Sequence, residues 1–153
     1  MGHKSHKIAS IIHSLDGSQF DPHYLGFFEC FNKRLFFEAH EVLEELWLQQ
    51  RGAPNDLFFK GLIQLAGAFV HIQKKRRQPA ISLFQLARRN LGKYPATYES
   101  LDLAKLQTLI DSWIESLETN PHLCDPLESS WPNLSLDLSQ SSIVNRPSSI
   151  VNP

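Results

Sequence analysis

The residue types best suited to chemistry lie at 36–47, where one predicted helix carries a histidine among several carboxylates. At 3.6 residues per turn, His40 falls at the edge of the apolar arc, and Glu44 follows one turn along the same face. Glu41 lies further round the helix. A histidine and carboxylates in this arrangement are suited to hydrogen bonding, metal binding or proton transfer.

Two large apolar residues, Phe37 and Leu48, neighbour Glu44 on this face of the predicted helix. We expect them to hem its carboxylate. Burial raises the pKa of a carboxyl group unless a cation or a metal offsets the cost. Glu44 is therefore predicted to occupy an unusual position for an acidic residue.

The next predicted helix is apolar over most of its circumference and should be central in the fold. Its narrow polar stripe contains Gln64 and His71, which are two turns apart and on the same side. Antiparallel packing of the two helices would gather one polar cluster. Its members are His40, Glu41, Glu44, Gln64 and His71.

Three interpretations of this cluster stay open. It can be a structural network that fixes helix register. It can bind a divalent metal such as Zn, Mn or Fe, with His40, Glu44 and His71 as ligands and Glu41 as the base of a metal-dependent hydrolase. It can also be a metal-free acid–base or ligand pocket. The pattern His-Glu-x-x-Glu departs from the zinc-protease pattern His-Glu-x-x-His in its last residue.

The elements that must position these residues are helices. Asp21-Pro22 has the signature of a helix start, with Asp21 as N-cap, and Gly92 is a typical C-terminal stop. Apolar spacing predicts five helices, at about 22–31, 35–50, 57–75, 79–91 and 101–118. The fold class is therefore all-α.

A helix, a basic turn and a second helix occur twice, with Ala39 and Ala80 in matching places 41 residues apart. Two copies fall short of the number that a solenoid needs. We therefore predict two αα-hairpins followed by a C-terminal helix, packed as a compact array.

The chain of 153 residues divides by composition into three parts. Residues 1–20 form an N-terminal extension with one short helix at about 8–15, 21–119 form the helical domain, and 120–153 form a low-complexity tail. The tail is predicted to be disordered, although Trp131-Pro132 could dock back on the domain. Two cysteines and the absence of a long apolar run favour a reduced, cytoplasmic protein with no membrane segment.

Charge is unevenly distributed although the net charge is only -1. Residues 57–98 contain no acid and hold eight of the fifteen basic residues. This stretch could bind nucleic acid or an acidic protein. It could equally be a solvated face that pairs with the chain's own acidic helices. Lys60 precedes a basic patch that comprises Lys74, Lys75, Arg76, Arg77, Arg88, Arg89 and Lys93.

The run FEAHEVLEELW at 37–47, followed by GLIQLA at 61–66 and His71, resembles domain-of-unknown-function family 309. The resemblance covers about 24–91 and implies an all-helical array, with no activity assigned. It carries over onto His40, Glu41, Glu44, Trp47, Gln64 and His71. The family pattern usually has glycine where this chain has Lys33-Arg34, so this turn must avoid a left-handed backbone or be slightly strained.

From these observations we predict a binding or scaffold module with an interhelical His/Glu/Gln cluster. The alternatives are a metal-dependent enzyme that uses His40, Glu44 and His71, and a binder of nucleic acid or acidic protein through the stretch at 60–93. The sequence does not decide between a binding protein and an enzyme. It leaves oligomeric state open as well.

Overall fold

The computed structural model describes residues 20–120 and 131–137 and confirms the all-α class. Consecutive helices pack against each other along the chain. The predicted short helix at 8–15 lies outside the described residues. The elements are α1 (Pro22–Asn32), α2 (Phe36–Gln49), α3 (Asp56–Gln73), α4 (Arg77–Leu91), β1 (Thr97–Tyr98), β2 (Leu101–Asp102) and α5 (Leu103–Thr119).

Helix α3 is central, as its apolar circumference predicts, and packs on both α2 and α4. Its inward stripe, Phe58, Leu62, Leu65 and Phe69, is fully buried. Small residues let α4 come close: a Cβ added at Gly61 would lie 2.7 Å from Cγ of Leu91. The central helix can therefore form polar contacts only along its narrow stripe.

Both predicted αα-hairpins turn in the same way. Arg34 (φ 62°) and Lys75 (φ 58°) adopt the left-handed conformation just after α1 and α3. The following amide N–H groups, of Leu35 and Arg76, donate to the carbonyls of Cys30 and His71 at 2.9 and 2.8 Å. This is a Schellman cap without glycine. Of the two alternatives predicted for Lys33-Arg34, the first turn therefore adopts the left-handed, strained backbone. The second turn adopts the same conformation 41 residues later.

A two-stranded antiparallel hairpin, which the sequence did not predict, precedes α5, and this helix begins two residues after its predicted start. Leu101 and Asp102 pair with Tyr98 and Thr97, and Asp102 then caps α5 by accepting the N–H of Lys105 at 3.0 Å. The turn residues, at 99 and 100, both have positive φ, as a type I′ turn requires.

Residues 131–137 pack on the helices, so the folded part extends beyond the predicted boundary at 119. Trp131 contacts the aromatic core, and Leu134 is buried. Docking of Trp131-Pro132, which the sequence left open, therefore occurs. Residues 121–130 and 138–153 of the predicted tail lie outside the described residues. Among the helices of the described part, none is long and apolar enough to cross a membrane.

Candidate functional site

A pocket of about 280 Å³ opens between α2 and α3, and we call it the α2–α3 pocket. It brings together three of the five predicted cluster residues, namely His40, Gln64 and His71. Apolar side chains complete its wall, and Gly67 supplies a floor without a side chain. The full lining is Phe37, His40, Ile63, Gln64, Gly67, Val70, His71 and Leu83.

Two imidazole nitrogens at this pocket are buried without a hydrogen-bond partner among the described residues: Nδ1 of His40 and Nδ1 of His71. Buried polar atoms in folded proteins are nearly always paired, so each such atom needs an explanation. The His40 ring is also stacked on Phe37, with ring centroids 6.1 Å apart and an interplanar angle of 16°. Both imidazole rings therefore line the pocket, and each has one buried nitrogen that no described residue bonds.

Gln64 is oriented by a residue that the sequence patterns did not predict. Asn90 of α4 is 7% exposed, and its Nδ2 donates to Oε1 of Gln64 at 2.8 Å. This bond directs the Gln64 carbonyl oxygen towards α4 and leaves its Nε2 as the remaining donor. A polar residue beside the buried positions Ala87 and Leu91 of an amphipathic helix is the sequence signal that could have identified Asn90.

The electrostatic surroundings of His71 are positive. Burial lowers its pKa from the ordinary value of 6.5, and the nearby charges of Arg76 and Lys74 lower it further. His71 is therefore neutral at neutral pH. A neutral imidazole keeps one N–H donor and one acceptor nitrogen.

The carboxylates of the predicted cluster do not line the pocket. Glu44 lies one turn beyond His40 and is half-buried. The expectation that apolar neighbours hem its carboxylate is wrong, since Phe37 and Leu48 are 54% and 51% exposed. These side chains project outwards because this stripe is the outer edge of α2 and not its packed face. Glu41, also half-buried, lies on the neighbouring arc.

The predicted ligand set of His40, Glu44 and His71 is consequently not assembled. Within residues 20–120 and 131–137, no three His, Cys, Asp or Glu side chains are grouped so that they could hold a metal ion. The residues around the pocket offer two imidazoles and one amide to a ligand. Zn, Mn or Fe sites built from this chain's described residues would need a further ligand from elsewhere.

Comparison with known proteins agrees with the resemblance seen in the sequence. Residues 24–83 match the model of the family described as domain of unknown function (DUF309). This part of the chain is similar to that family. The uncharacterized protein YpuF of Bacillus subtilis (strain 168) is 33% identical over 88 residues, which are 56% of this chain and 51% of that protein. The chain thus spans about half of that relative's length. The search of solved structures found no match to this chain.

Trp47 of the DUF309 segment has a structural role at the α2–α3 loop. Its Nε1 donates to Oδ1 of Asp56 at 2.6 Å, while Oδ2 accepts the Gly52 amide N–H at 2.8 Å. These two bonds lower the pKa of Asp56. Two cations, Arg51 and Lys60, lie over the indole at 5.6 and 5.8 Å from its centroid. Trp47 therefore closes the loop and does not reach the pocket.

A second polar cluster, at the start of α1, was not predicted. His23 of α1 lies between two carboxylates, with Nδ1 2.9 Å from Asp21 and Nε2 2.9 Å from Glu45. The spacing of His23 in the sequence predicts no role for it. The contact with Glu45 spans 22 residues, so local spacing gave no signal for it.

The basic patch, which extends beyond the DUF309 match, is partly engaged within the chain. Nε of Arg77 donates to the carbonyl of Leu117 at 2.5 Å, at the C-terminal end of α5. Arg88 forms an ion pair with Asp111 at 2.9 Å. These contacts support the interpretation of a face that pairs with the chain's own helices. The side chains of Lys74, Lys75, Arg76, Arg89 and Lys93 are exposed.

Proposed function

We propose that this domain is a binding module whose α2–α3 pocket takes a small molecule with an apolar body and an anionic group. The observation that carries the proposal is the pair of buried imidazole nitrogens of His40 and His71 that have no partner among the described residues. A ligand oxygen in the pocket would accept a hydrogen bond from a ring N–H of either histidine. The Gln64 amide, oriented by Asn90, would supply a further donor.

The charge preference of the ligand follows from the surroundings of His71. The charges that depress its pKa are those of Arg76 and Lys74, and both are cations. A carboxylate or phosphate oxygen near this imidazole would gain from both charges, whereas a ligand ammonium group would be repelled. This favours an anionic group over a cationic one.

The apolar walls determine the rest of the ligand. Phe37, Ile63 and Leu83 line the cavity, whose volume of about 280 Å³ is at the low end of the range for small-molecule sites. Ligands of this size bind weakly even when they fit. For a ligand of about eight non-hydrogen atoms, each contributing roughly 0.5 kcal/mol of binding free energy, we expect a dissociation constant of about 1 mM.

The test uses three probes that share a six-carbon chain: hexanoate, hexylamine and hexanol. Full-length ¹⁵N-labelled protein is titrated with each, and the amide shifts of α2 and α3 are followed. We expect hexanoate to bind at least fivefold more tightly than hexylamine, with hexanol in between. Equal shifts with hexanoate and hexylamine, or no shifts around the pocket, would refute the proposal.

A matched pair of variants localises the binding. Phe37 and Leu48 are exposed to similar extents on the same helix, but only Phe37 lines the pocket. Phe37→Ala should weaken hexanoate binding about tenfold by removing the aromatic wall, and Leu48→Ala should leave it unchanged. If the two variants behave alike, the ligand binds elsewhere on the outer face of α2. The cytoplasmic location predicted from the sequence is part of this proposal.

A further inference from the structure

Residues 131–137 cross the helices as an extended segment, which we call the docked segment. Its side chains alternate: Leu134 is buried and Leu136 packs against the core, whereas Asn133, Ser135 and Asp137 are exposed. Such alternation is typical of an extended chain lying on a surface. The docked segment therefore resembles a peptide bound in a groove more than an ordinary loop.

The groove recognises the backbone of the docked segment through one side chain. Nδ2 of Asn32 donates to the carbonyl of Leu134 at 2.7 Å, and the Leu134 amide N–H donates to Oδ1 of Asn32 at 2.7 Å. A paired bond of this kind would form with almost any residue in the place of Leu134. At its far end, the amide N–H of Asp137 donates to the Ser100 carbonyl at 2.8 Å.

Side-chain selectivity comes from an aromatic box at the other end of the groove. The Trp131 ring lies 5.3 Å from Phe36, 6.1 Å from Phe69 and 6.4 Å from Trp113, measured between ring centroids. Aromatic pairs at these distances contribute beyond their buried area. The groove thus selects an aromatic residue and, three residues later, an aliphatic one.

We infer that this groove is a peptide-recognition site for an extended Trp-Pro-x-Leu segment of another protein, and that residues 131–137 occupy it as an intramolecular competitor. Backbone bonds supply affinity and alternate side-chain positions supply specificity, as in other sites for extended peptides. This site is separate from the α2–α3 pocket and does not depend on the function proposed for it.

The docked segment does not fill the space next to it. Between this segment and α5 the described residues leave a cavity of about 590 Å³, lined in part by Leu106, Leu109 and Leu136. A partner peptide with bulkier apolar residues at these places would make contacts that the chain's own segment lacks. This difference in contact is what would allow a partner to compete.

The connection is long enough for the segment to dock on its own chain. Trp113 lies about 10 Å of helix before Asn120, and the ten residues at 121–130 can span about 33 Å. Docking in cis therefore needs no strain in the connection. A short connection also gives the tethered segment an effective concentration on the order of millimolar, which a partner must exceed.

The test uses the full-length chain with Trp131→Ala and Leu134→Ala, which weaken the chain's own segment. A fluorescein-labelled peptide of residues 131–137 is titrated and followed by anisotropy, with circular dichroism as the check of folding. We expect the peptide to bind this variant at least tenfold more tightly than wild type. Adding Asn32→Ala should abolish binding, and a peptide with alanine at both anchor positions should not bind.

A second measurement needs no variant and therefore does not depend on its folding. In ¹⁵N-labelled wild type, excess unlabelled peptide should accelerate hydrogen exchange of the Leu134 amide, because it displaces the docked segment. The inference is overturned if the folded double variant binds no peptide, or if it binds no better than wild type. It is also overturned if wild type forms dimers by exchanging this segment, since the occupant is then a second copy.

Discussion

His71 is the residue on which burial and charge act in the same direction. Because its folded-state pKa is lowered, the unfolded chain binds more protons than the folded one between that pKa and the ordinary value of 6.5. The stabilising contribution of neutral His71 is thus present above pH 6.5 and is lost as pH falls through the folded-state pKa. Protonation of His71 should accordingly lower the free energy of unfolding at acid pH.

We predict that His71→Gln reduces the pH dependence of stability. Urea denaturation of wild type at pH 8 and at pH 5 should show a fall in the free energy of unfolding, and the variant should show a smaller fall. The difference between the two proteins isolates His71 from the other titrating groups. As a control, Arg76→Gln should raise the His71 pKa in an NMR titration. Identical pH dependence in wild type and His71→Gln would contradict the prediction.

At this scale the sequence predicted the polar side of the site better than its acidic side. Helical spacing placed Gln64 and His71 on one face of α3, opposite the polar edge of α2 with His40, and all three residues line one pocket. Helical spacing could not show that the stripe of α2 with Glu44 is an outer edge. That depends on how much of the surface of α2 is covered by α3. The bond from Asn90 to Gln64 could not be predicted without knowing that α4 packs against α3.

Helices and turns were predictable to the extent that local chemistry decides them. The N-cap at Asp21 is confirmed by its bond to the His23 amide N–H at 2.8 Å. The sequence did not predict the hairpin at residues 97–102. Its turn, Glu99-Ser100, contains neither Gly nor Asn, the residues that most readily adopt positive φ. Long-range bonds hold it instead: the hydroxyl of Tyr24, whose pKa burial raises, donates to the Glu99 carbonyl at 2.8 Å.

The Schellman turns allow a prediction about the hairpins. Lys75 has φ 58°, a conformation that costs a non-glycine residue roughly 1 kcal/mol. Lys75→Gly should therefore raise the free energy of unfolding by about 0.5 kcal/mol, after the extra entropy of the unfolded chain is subtracted. The adjacent Lys74 has φ −94°, so Lys74→Gly should lower it. Thermal denaturation of both variants makes the comparison, and a loss of stability in both would show that the turn is not strained.

For the molecule as a whole, near-zero net charge results from an acid-free middle and two acidic flanks. The structure joins these parts where Arg88 meets Asp111 and where Arg77 meets the end of α5. The pattern along the chain showed the separation of charge. It could not show which cations are engaged, since the helix packing decides that.

We expect wild type to elute from heparin below about 0.15 M NaCl, because part of its basic patch is paired internally. Asp111→Asn, which releases Arg88, should delay elution. The control Glu29→Gln breaks the ion pair with Lys33, 2.8 Å long, on a different helix. It changes the net charge equally and should delay elution less. Strong retention of wild type would instead favour nucleic acid or an acidic protein as the partner.

The bond between Asn32 and Leu134 joins residues 102 positions apart, whereas the helices pack on their neighbours along the chain. Loop closure makes such a distant contact slow to form, so the helical array should assemble before the docked segment arrives. A contact made after the folding barrier changes the unfolding rate and leaves the folding rate unaltered. The docked segment is then a latch in the kinetic sense, closing late and opening first.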